Sequence, residues 1–413
     1  MDRARSRRLI LAAAAAGLIV RLAFGLFYWT AKPLTHDERE YLVLAQSLSD
    51  GRGLTYPAGY DAGTGQQFGR APGYPALLSL LGADAQATSA PVRIKAVQAV
   101  LGAIVVWMIG VIASRAWTPR AGAVAAAIAA AYPPLIWISA YVFSESLYMP
   151  LALGGVLLLD AARARTDEEQ STRGGGALTV AAGLLAGVSI LVRPGMLLFL
   201  PLAALWLIRR RQWSLALAFC VAAAVVVAPW TLRNAHVYGR FVLVASEGGV
   251  TFWTGNHPLA RGEGDLAANP DIKRADIAFR AAHPGLSAEE LEPLYYRDAI
   301  AYILDYPGWW LALVAKKAFY TFVPVGPSYT LHSTRYLLAS VIPYALLAPL
   351  ACIGLTRLLR RRNAATPLLL LALSVVMTSL IFFPQERFRI PVLDPTVIVC
   401  ASGVVAAGRR RQP

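Results

Sequence analysis

Two adjacent acids, Asp37 and Glu38, head the stretch Thr35-His-Asp-Glu-Arg-Glu-Tyr-Leu-Val-Leu-Ala-Gln-Ser-Leu48, and each carboxylate offers either proton-transfer chemistry or a structural cap. The spacing predicts a helix beginning near Thr35. Thr35 and Glu38 fit the Ser/Thr-x-x-Glu capping box, in which two orphan amides are satisfied reciprocally, and Asp37 falls in the first turn, where the helix dipole favours a negative charge. Helical spacing puts Asp37, Tyr41, Leu44/Ala45 and Leu48 on one face and turns Glu38 about 100° away, so the two acids cannot readily share one task. Further on, Gly69-Arg70-Ala-Pro-Gly-Tyr-Pro75 reads as a rigid Pro-Gly-x-Pro turn before an apolar stretch, 76–81. The prolines fix φ and hold Arg70 in a defined place, where lipid headgroups are one partner for it. Glu145 stands isolated between apolar runs and is costly there unless paired. Arg193, Arg387 and Arg389 are lone arginines at comparable turns, each able to snorkel. The five histidines form no cluster along the chain, so neither a metal nor a cofactor is expected. Cys220, Cys352 and Cys400 lie in apolar runs and read as small buried hydrophobes.

The elements that must position these groups are membrane spans. Of the 413 residues 57% are hydrophobic and only 15% charged, with a mean hydropathy of +0.51. A soluble chain carries about 45–50% apolar and about 25% charged residues; disorder, collagen-like structure and a small disulfide scaffold are excluded. Nearly uncharged runs recur at 9–30, 94–113, 121–143, 146–159, 177–192, 194–208, 213–232, 336–356, 364–383 and 390–408. A span takes about 20 residues, so the runs at 146, 177 and 194 are short and rest on their flanks. Basic clusters at Arg3/Arg5/Arg7/Arg8, Arg115/Arg120, Arg163/Arg165/Arg173, Arg209–Arg211, Arg357/Arg360–Arg362 and Arg409–Arg411 fall after every second run, as the positive-inside rule requires. The expectation is an all-α polytopic membrane protein of about ten spans, with both termini cytoplasmic and the first span uncleaved. The net charge of +15, from 39 basic and 24 acidic residues, is then mostly an orientation signal; no basic patch with interleaved aromatics lies on a soluble domain, so nucleic acid is not an expected partner.

This topology leaves two long extracytoplasmic segments, 31–91 and 233–308, with short interfacial helices, and the acids, glycines and aromatics concentrate there. The apolar piece 309–323, interrupted by Lys316 and Lys317, reads as an in-plane interfacial helix with snorkelling lysines. The charged stretch 259–297 reads as a solvated helical face, and Gly255-Asn256 as a turn signal, with Trp253, Asn256 and His257 as a candidate acceptor pocket. One domain, 1–413, divides into N-terminal spans with the first loop (1–232), the second loop and interfacial helix (233–335) and C-terminal spans (336–413).

Asp-Glu-x-x-Tyr after a first span, followed by Arg-Ala-Pro-Gly-Tyr-Pro75, resembles the polyprenyl-phosphate-sugar-dependent glycosyltransferases of the C-type membrane fold, which include the protein O-mannosyltransferases, the lipid A aminoarabinose transferases and bacterial relatives. Ala228-Pro-Trp-Thr-Leu-Arg-Asn234, Tyr238-Gly-Arg-Phe241 and Gly248-Gly-Val-Thr-Phe-Trp-Thr-Gly-Asn-His-Pro258 are similar to the end of the seventh span and following loop of that bacterial subgroup. Glu386-Arg-Phe-Arg-Ile-Pro391 resembles its Glu-Arg-Tyr-Arg-x-Pro motif. The resemblance implies an enzyme of the bacterial inner membrane that moves a sugar from a polyprenyl phosphate to an extracytoplasmic acceptor hydroxyl on a glycolipid, polysaccharide or protein. A lipid phosphate is a good leaving group, so one carboxylate acting as base suffices, with a cation stabilising the departing phosphate. Carried over, the base is Asp37, with Glu38 beside it, and the phosphate ligand is Arg70. Tyr41, Tyr74, Glu145, Arg193, Asn256, Arg387 and Arg389 complete the expected substrate-binding set. A transporter or flippase for a lipid-linked sugar, and a ligase using lipid pyrophosphate donors, are the alternatives; a carrier places ionisable groups near the midplane, whereas the spans here hold few, chiefly Arg21 and Asp394.

Overall fold

The computed structural model describes all residues except 58–59, 61–68, 170–171, 265–268, 325–332, 361–364 and 408–413. Among the described residues helices follow one another along the chain, and an isolated bridge pairs Pro33 with Ser89. Helix α1 (Arg3–Ala23) runs on through a π-helical turn, Phe24–Tyr28. Next come α2 (His36–Ser49), α3 (Gly73–Leu80), α4 (Val92–Ala116), α5 (Pro119–Ala131), α6 (Pro133–Trp137), α7 (Glu145–Glu169), α8 (Thr172–Val192), α9 (Phe199–Arg209) and α10 (Trp213–Tyr238). The second long segment folds as α11 (Gly248–Asn256), α12 (Pro270–Ala281), α13 (Ala288–Asp305) and α14 (Pro307–Phe322). After it come α15 (Thr334–Arg360), α16 (Thr366–Ile381), α17 (Glu386–Arg389) and α18 (Leu393–Ala407).

Where described, each of the ten apolar runs is largely helical, yet they do not all qualify as spans. Among the described residues six helices are long and apolar enough to cross a membrane: α1 with its π turn, α4, α7, α8, α10 and α15. The pair Pro119–Ala131 and Pro133–Ala140, bent by 63°, would make a seventh if it is one span. Residues Pro194–Arg209, α16 and α18 are apolar but shorter. Proline accounts for much of the shortening. Pro194 and Pro367 stand at helix starts, and Pro384 and Pro391 set α17 apart as a separate turn, so the run expected from 390 begins its long helix only at Leu393.

The bend has a local cause. Pro133 and Pro134 have no N–H, so the carbonyls one turn back lose their helical donors. Arg21, 2% exposed, meets one of them: its Nη2 donates to the Ala129 carbonyl at 3.4 Å and its Nη1 to the Gly17 carbonyl at 3.0 Å. Elsewhere small residues set helix spacing, as lipid-embedded packing favours. On α8, Gly183 and Gly187 form a G-x-x-x-G pair, and a Cβ at either would run into the Phe219 or Ala223 carbonyl of α10.

Three expectations are corrected. Lys317 does not snorkel: it is fully buried and donates from Nζ to Asn256 Oδ1 at 2.9 Å and to the Leu380 carbonyl at 3.2 Å, so it caps the end of α16. Residues 259–297, where described, are more than a solvated face, because Ile272, Leu291 and Tyr295 from α12 and α13 pack with Trp253 of α11 in a small second core. Cys400 is buried, but Cys352 of α15 is exposed and Cys220 is half-buried.

Candidate functional site

Connections at one end of the bundle converge: the segment between α1 and α4, the start of α7, the end of α8, the segment after α10 and the turn between α16 and α18. The anchor is α2. Its capping box forms as expected, with Thr35 N–H donating to Glu38 Oε2 at 2.8 Å and the Glu38 amide to Thr35 Oγ1 at 3.4 Å. The other oxygen of Glu38 accepts from the Val142 amide at 2.8 Å. Glu38 therefore staples α2 to the turn before α7. Burial pushes its carboxyl above the ordinary value, although these bonds pull it back.

A neighbouring face of α2, turned about 100° from Glu38 at Asp37, presents Asp37, Glu40 and Tyr41 together, the i, i+3, i+4 relation of one helical stripe. Arg70 lies against this stripe. Its Nη2 is 3.0 Å from Asp37 Oδ1, its Nε donates to Glu40 Oε2 at 2.8 Å, Nη2 also bonds Glu40, and its guanidinium sits 5.3 Å from the Tyr41 ring centre. The Pro-Gly-Tyr-Pro segment fixes this approach by starting α3 at Gly73, earlier than the expected turn. Gly73 is needed because a Cβ there would meet the Leu191 carbonyl and Val192, so α3 seats tightly on the end of α8.

Asp37 has a second cation. Arg387 Nη1 lies 2.6 Å from Asp37 Oδ2, and Arg387 Nε is 3.9 Å from Glu145 Oε1. Glu145, only 1% exposed, is paired with Arg193 Nη1 at 2.7 Å. Arg193 also donates to Ser144 Oγ at 3.1 Å, as does Tyr41 Oη at 3.2 Å. The Phe388 ring separates Arg193 from Arg387, 4.9 and 5.2 Å from the two guanidiniums. The result is an alternating ladder, Glu40–Arg70–Asp37–Arg387–Glu145–Arg193. Burial pushes Asp37 upward, but the flanking Arg387 and Arg70 outweigh it and hold the carboxyl well below its usual range.

Sequence reasoning missed three members. Glu40 sat in view, one turn beyond Asp37 on the same face. Tyr56 gives no signal of its own; its hydroxyl donates to Glu40 Oε1 at 2.5 Å and helps fix Arg70. Glu247 lies 3.5 Å from Arg70 Nη1, and its placement explains the Ala228–Asn234 motif. Trp230 donates to the Val244 carbonyl at 2.8 Å, Thr231 to Leu243 at 2.8 Å, and Asn234 to Val242 and Val244 at 3.1 and 3.2 Å. These bonds clamp residues 242–244 along α10 and deliver Glu247, just before α11, to the ladder.

Several expected residues are not brought to it. Tyr74 is fully buried beneath Tyr41, edge-on at 4.9 Å, and its hydroxyl donates to Gln98 at 2.7 Å. Asn256, the last residue of α11 rather than part of a turn, is fully buried: its amide donates to the Phe252 and Ile381 carbonyls while its Oδ1 accepts from Trp310 and Lys317. Trp253 donates to Asp298 at 2.6 Å inside the second core, and His257 lies against its ring. Arg389, 4% exposed, points away from the ladder and donates to Asp394 Oδ1 at 2.8 Å. Among the described residues no group of three or more His, Cys, Asp or Glu is arranged to hold a metal ion.

No protein-family model matches the chain, and no curated protein does. Solved structures do. The oligosaccharyltransferase of Archaeoglobus fulgidus, tethered with an acceptor peptide containing the NVT sequon, is 16% identical with a TM-score of 0.57, covering 96% of this chain and 49% of that one. The archaeal oligosaccharyltransferase AglB from the same organism, in complex with an inhibitory peptide and a dolichol-phosphate, gives 16% and 0.56 over 96% and 50%. ArnT from Cupriavidus metallidurans bound to undecaprenyl phosphate is 15% identical, with a TM-score of 0.42 over 97% and 77%. The chain spans about half the length of the archaeal proteins it matches. At such identity the likeness is one of architecture: this chain has the C-type membrane fold of the glycosyltransferases, the fold that its motifs resemble.

Proposed function

We propose that the protein is a membrane glycosyltransferase that moves a sugar from a polyprenyl-phosphate carrier to an acceptor hydroxyl on the extracytoplasmic side, across a bundle of about ten membrane-inserted helices with cytoplasmic termini. The observation that carries this reading is Asp37 held between Arg70 and Arg387, at 3.0 and 2.6 Å. One ionised carboxylate beside two cations fits a reaction needing a single base and charge stabilisation of a phosphate leaving group. The resting ladder also regulates the base. While two arginines hold its pKa down, Asp37 is ionised but weakly basic; once a donor phosphate draws on the same guanidiniums, the carboxylate regains basicity as the acceptor hydroxyl arrives. The sugar's anomeric carbon then bonds to the acceptor oxygen, its bond to the phosphate oxygen breaks, and the acceptor proton passes to Asp37.

The fold similarity to an archaeal oligosaccharyltransferase whose structure holds a dolichol-phosphate supports a lipid-linked donor. A second reading follows from the number of cations. Three arginines, Arg70, Arg193 and Arg387, share the ladder, and a donor with a pyrophosphate link would use more than one. The deciding experiment offers purified protein a panel of polyprenyl-phosphate monosaccharides and lipid-pyrophosphate oligosaccharides, with Asp37→Asn and Arg70→Ala alongside. Turnover of a monophosphate donor, abolished in both variants with folding retained, is expected. Turnover of pyrophosphate donors alone would select the second reading, and full activity of Asp37→Asn would remove the base assignment.

A further inference from the structure

The ladder has more acid than its ions need. Around Arg70, Arg193 and Arg387 stand four carboxylates, Asp37, Glu40, Glu145 and Glu247, so with all four ionised the cluster carries one negative charge in excess before any anionic donor arrives. Three of the acids are built in. Glu40 is bonded to Tyr56 and doubly to Arg70, Asp37 is clamped by two arginines, and Glu145 is sealed against Arg193 and Ser144. Glu247 is different. Its contact to Arg70 is the longest of the three that arginine makes to carboxylates, 3.5 Å, and its side chain keeps 42% of its surface accessible against 9% for Glu40 and 22% for Asp37. It faces Nη1, the edge of the guanidinium that Glu40 leaves open. Of the three carboxylates on Arg70, Glu247 is the one most accessible to an approaching phosphate.

We propose that Glu247 is a counter-ion that competes with the donor's phosphate for Arg70, so that donor binding takes up one proton on Glu247. This deepens the reading of Arg70 as the phosphate ligand and rests on it. The groups facing Glu247 support proton uptake rather than simple displacement. Asp37 and Glu40 of α2 and Arg70 of the following segment surround it, with Tyr56 behind Glu40 and Arg193 beyond. From α13, Tyr296 lies against Gly248, and Glu292 accepts from the Gly249 amide at 3.3 Å, holding the backbone beside Glu247 in place. Crowding by these elements, together with the Glu40 and Asp37 charges, outweighs the pull of Arg70 and Arg193 and brings Glu247 up to about 7. A phosphate on Arg70 adds another negative neighbour and raises it again.

The test measures binding of undecaprenyl methyl phosphate, a sugar-free phosphodiester with one fixed negative charge, to the full-length protein in detergent micelles between pH 6 and 8.5. For the wild type the dissociation constant is expected to rise by up to about tenfold per pH unit above pH 7, the limit for uptake of one proton. Glu247→Gln should bind more tightly than wild type at pH 8 and lose most of the pH slope, while Glu290→Gln, on the exposed side of α13, should follow the wild type. A pH-independent wild-type affinity, or a Glu247→Gln variant with unchanged affinity and slope, overturns the proposal. A wild-type protein that binds the probe with the same affinity as Arg70→Ala overturns instead the reading of Arg70 on which it stands.

Discussion

Arg387 and Arg389 stand two residues apart on the four-residue helix α17, and each is paired with an aspartate. The pairs have opposite fates. Arg389 and Asp394 are 4% and 0% exposed, with the guanidinium 4.0 Å from the Tyr344 ring centre, so their charges lock α17 to α18 and α15. Arg387 and Asp37 are 26% and 22% exposed and join the ladder. Chemically matched groups thus divide into a structural latch and a candidate reactive centre according to the surface each faces. A sealed pair is costly to break and inert; an accessible pair is less costly to rearrange, and a substrate can reach it.

The comparison can be broken from either side. The largest effect belongs to the open pair. Asp37→Asn should lower turnover by about 10²–10⁴-fold, the usual worth of a positioned base, with the protein still folded and its melting temperature lowered less than by loss of the sealed pair; a loss of stability as large as that of the sealed pair would mean that Asp37 belongs with the latch. On the sealed side, Arg389→Met should cost about 3–5 kcal/mol, because it leaves Asp394 buried without its cation, read as a lowered unfolding midpoint in detergent. The double variant Arg389→Met, Asp394→Leu should recover most of that loss, and failure to recover would show that more than this pair holds α17. Arg387→Lys keeps a charge but loses the planar fork. A fall in kcat/KM of about tenfold, with unchanged stability, is expected there. Thr35→Ala removes one half of the α2 cap and should cost about 1 kcal/mol.

Acidity sharpens the same contrast. Asp37 titrates well below its unfolded value of about 4 because two arginines outweigh its burial. Its ion pairs therefore contribute stability above that unfolded value, and the contribution fades as the pH falls below it towards the depressed native value. A melting curve followed downward from pH 5 should lose this part of the slope in Asp37→Asn.

Much of the molecule was legible before folding. The ten apolar runs and the capping box at Thr35 depend on local hydropathy, spacing and turn chemistry, and they appear in the structure as helices and a formed cap; only the family resemblance pointed to Asp37 and Arg70 together, and their ion pair is a finding of the fold. Glu38 and Asp37 diverge as their 100° separation required. Proline effects were harder to read. The split of the last apolar run at Pro391 and the bend at Pro133 follow from missing N–H donors, but whether such a break is tolerated depends on a donor from elsewhere, here Arg21 at the Ala129 carbonyl.

Which arginine faces the ladder could not be read from Glu-Arg-Phe-Arg alone, since two residues of the same type on one helical turn carry no label for the side they will face. Packing of α17 against α18 made the assignment. In the same way Asn256 and Tyr74 sit in motifs that resemble a substrate site, yet both are consumed by bonds to other helices, Tyr74 to Gln98 of α4 and Asn256 to Lys317 of α14 and the end of α16. Glu247 entered the site only because α10 holds residues 242–244 along its end. Local chemistry along the chain settled where helices start, which faces are apolar and where charges can stand in a membrane protein. Partners, accessibility and proton affinity were settled by the fold, because each depends on groups brought within a few ångströms from segments distant in sequence.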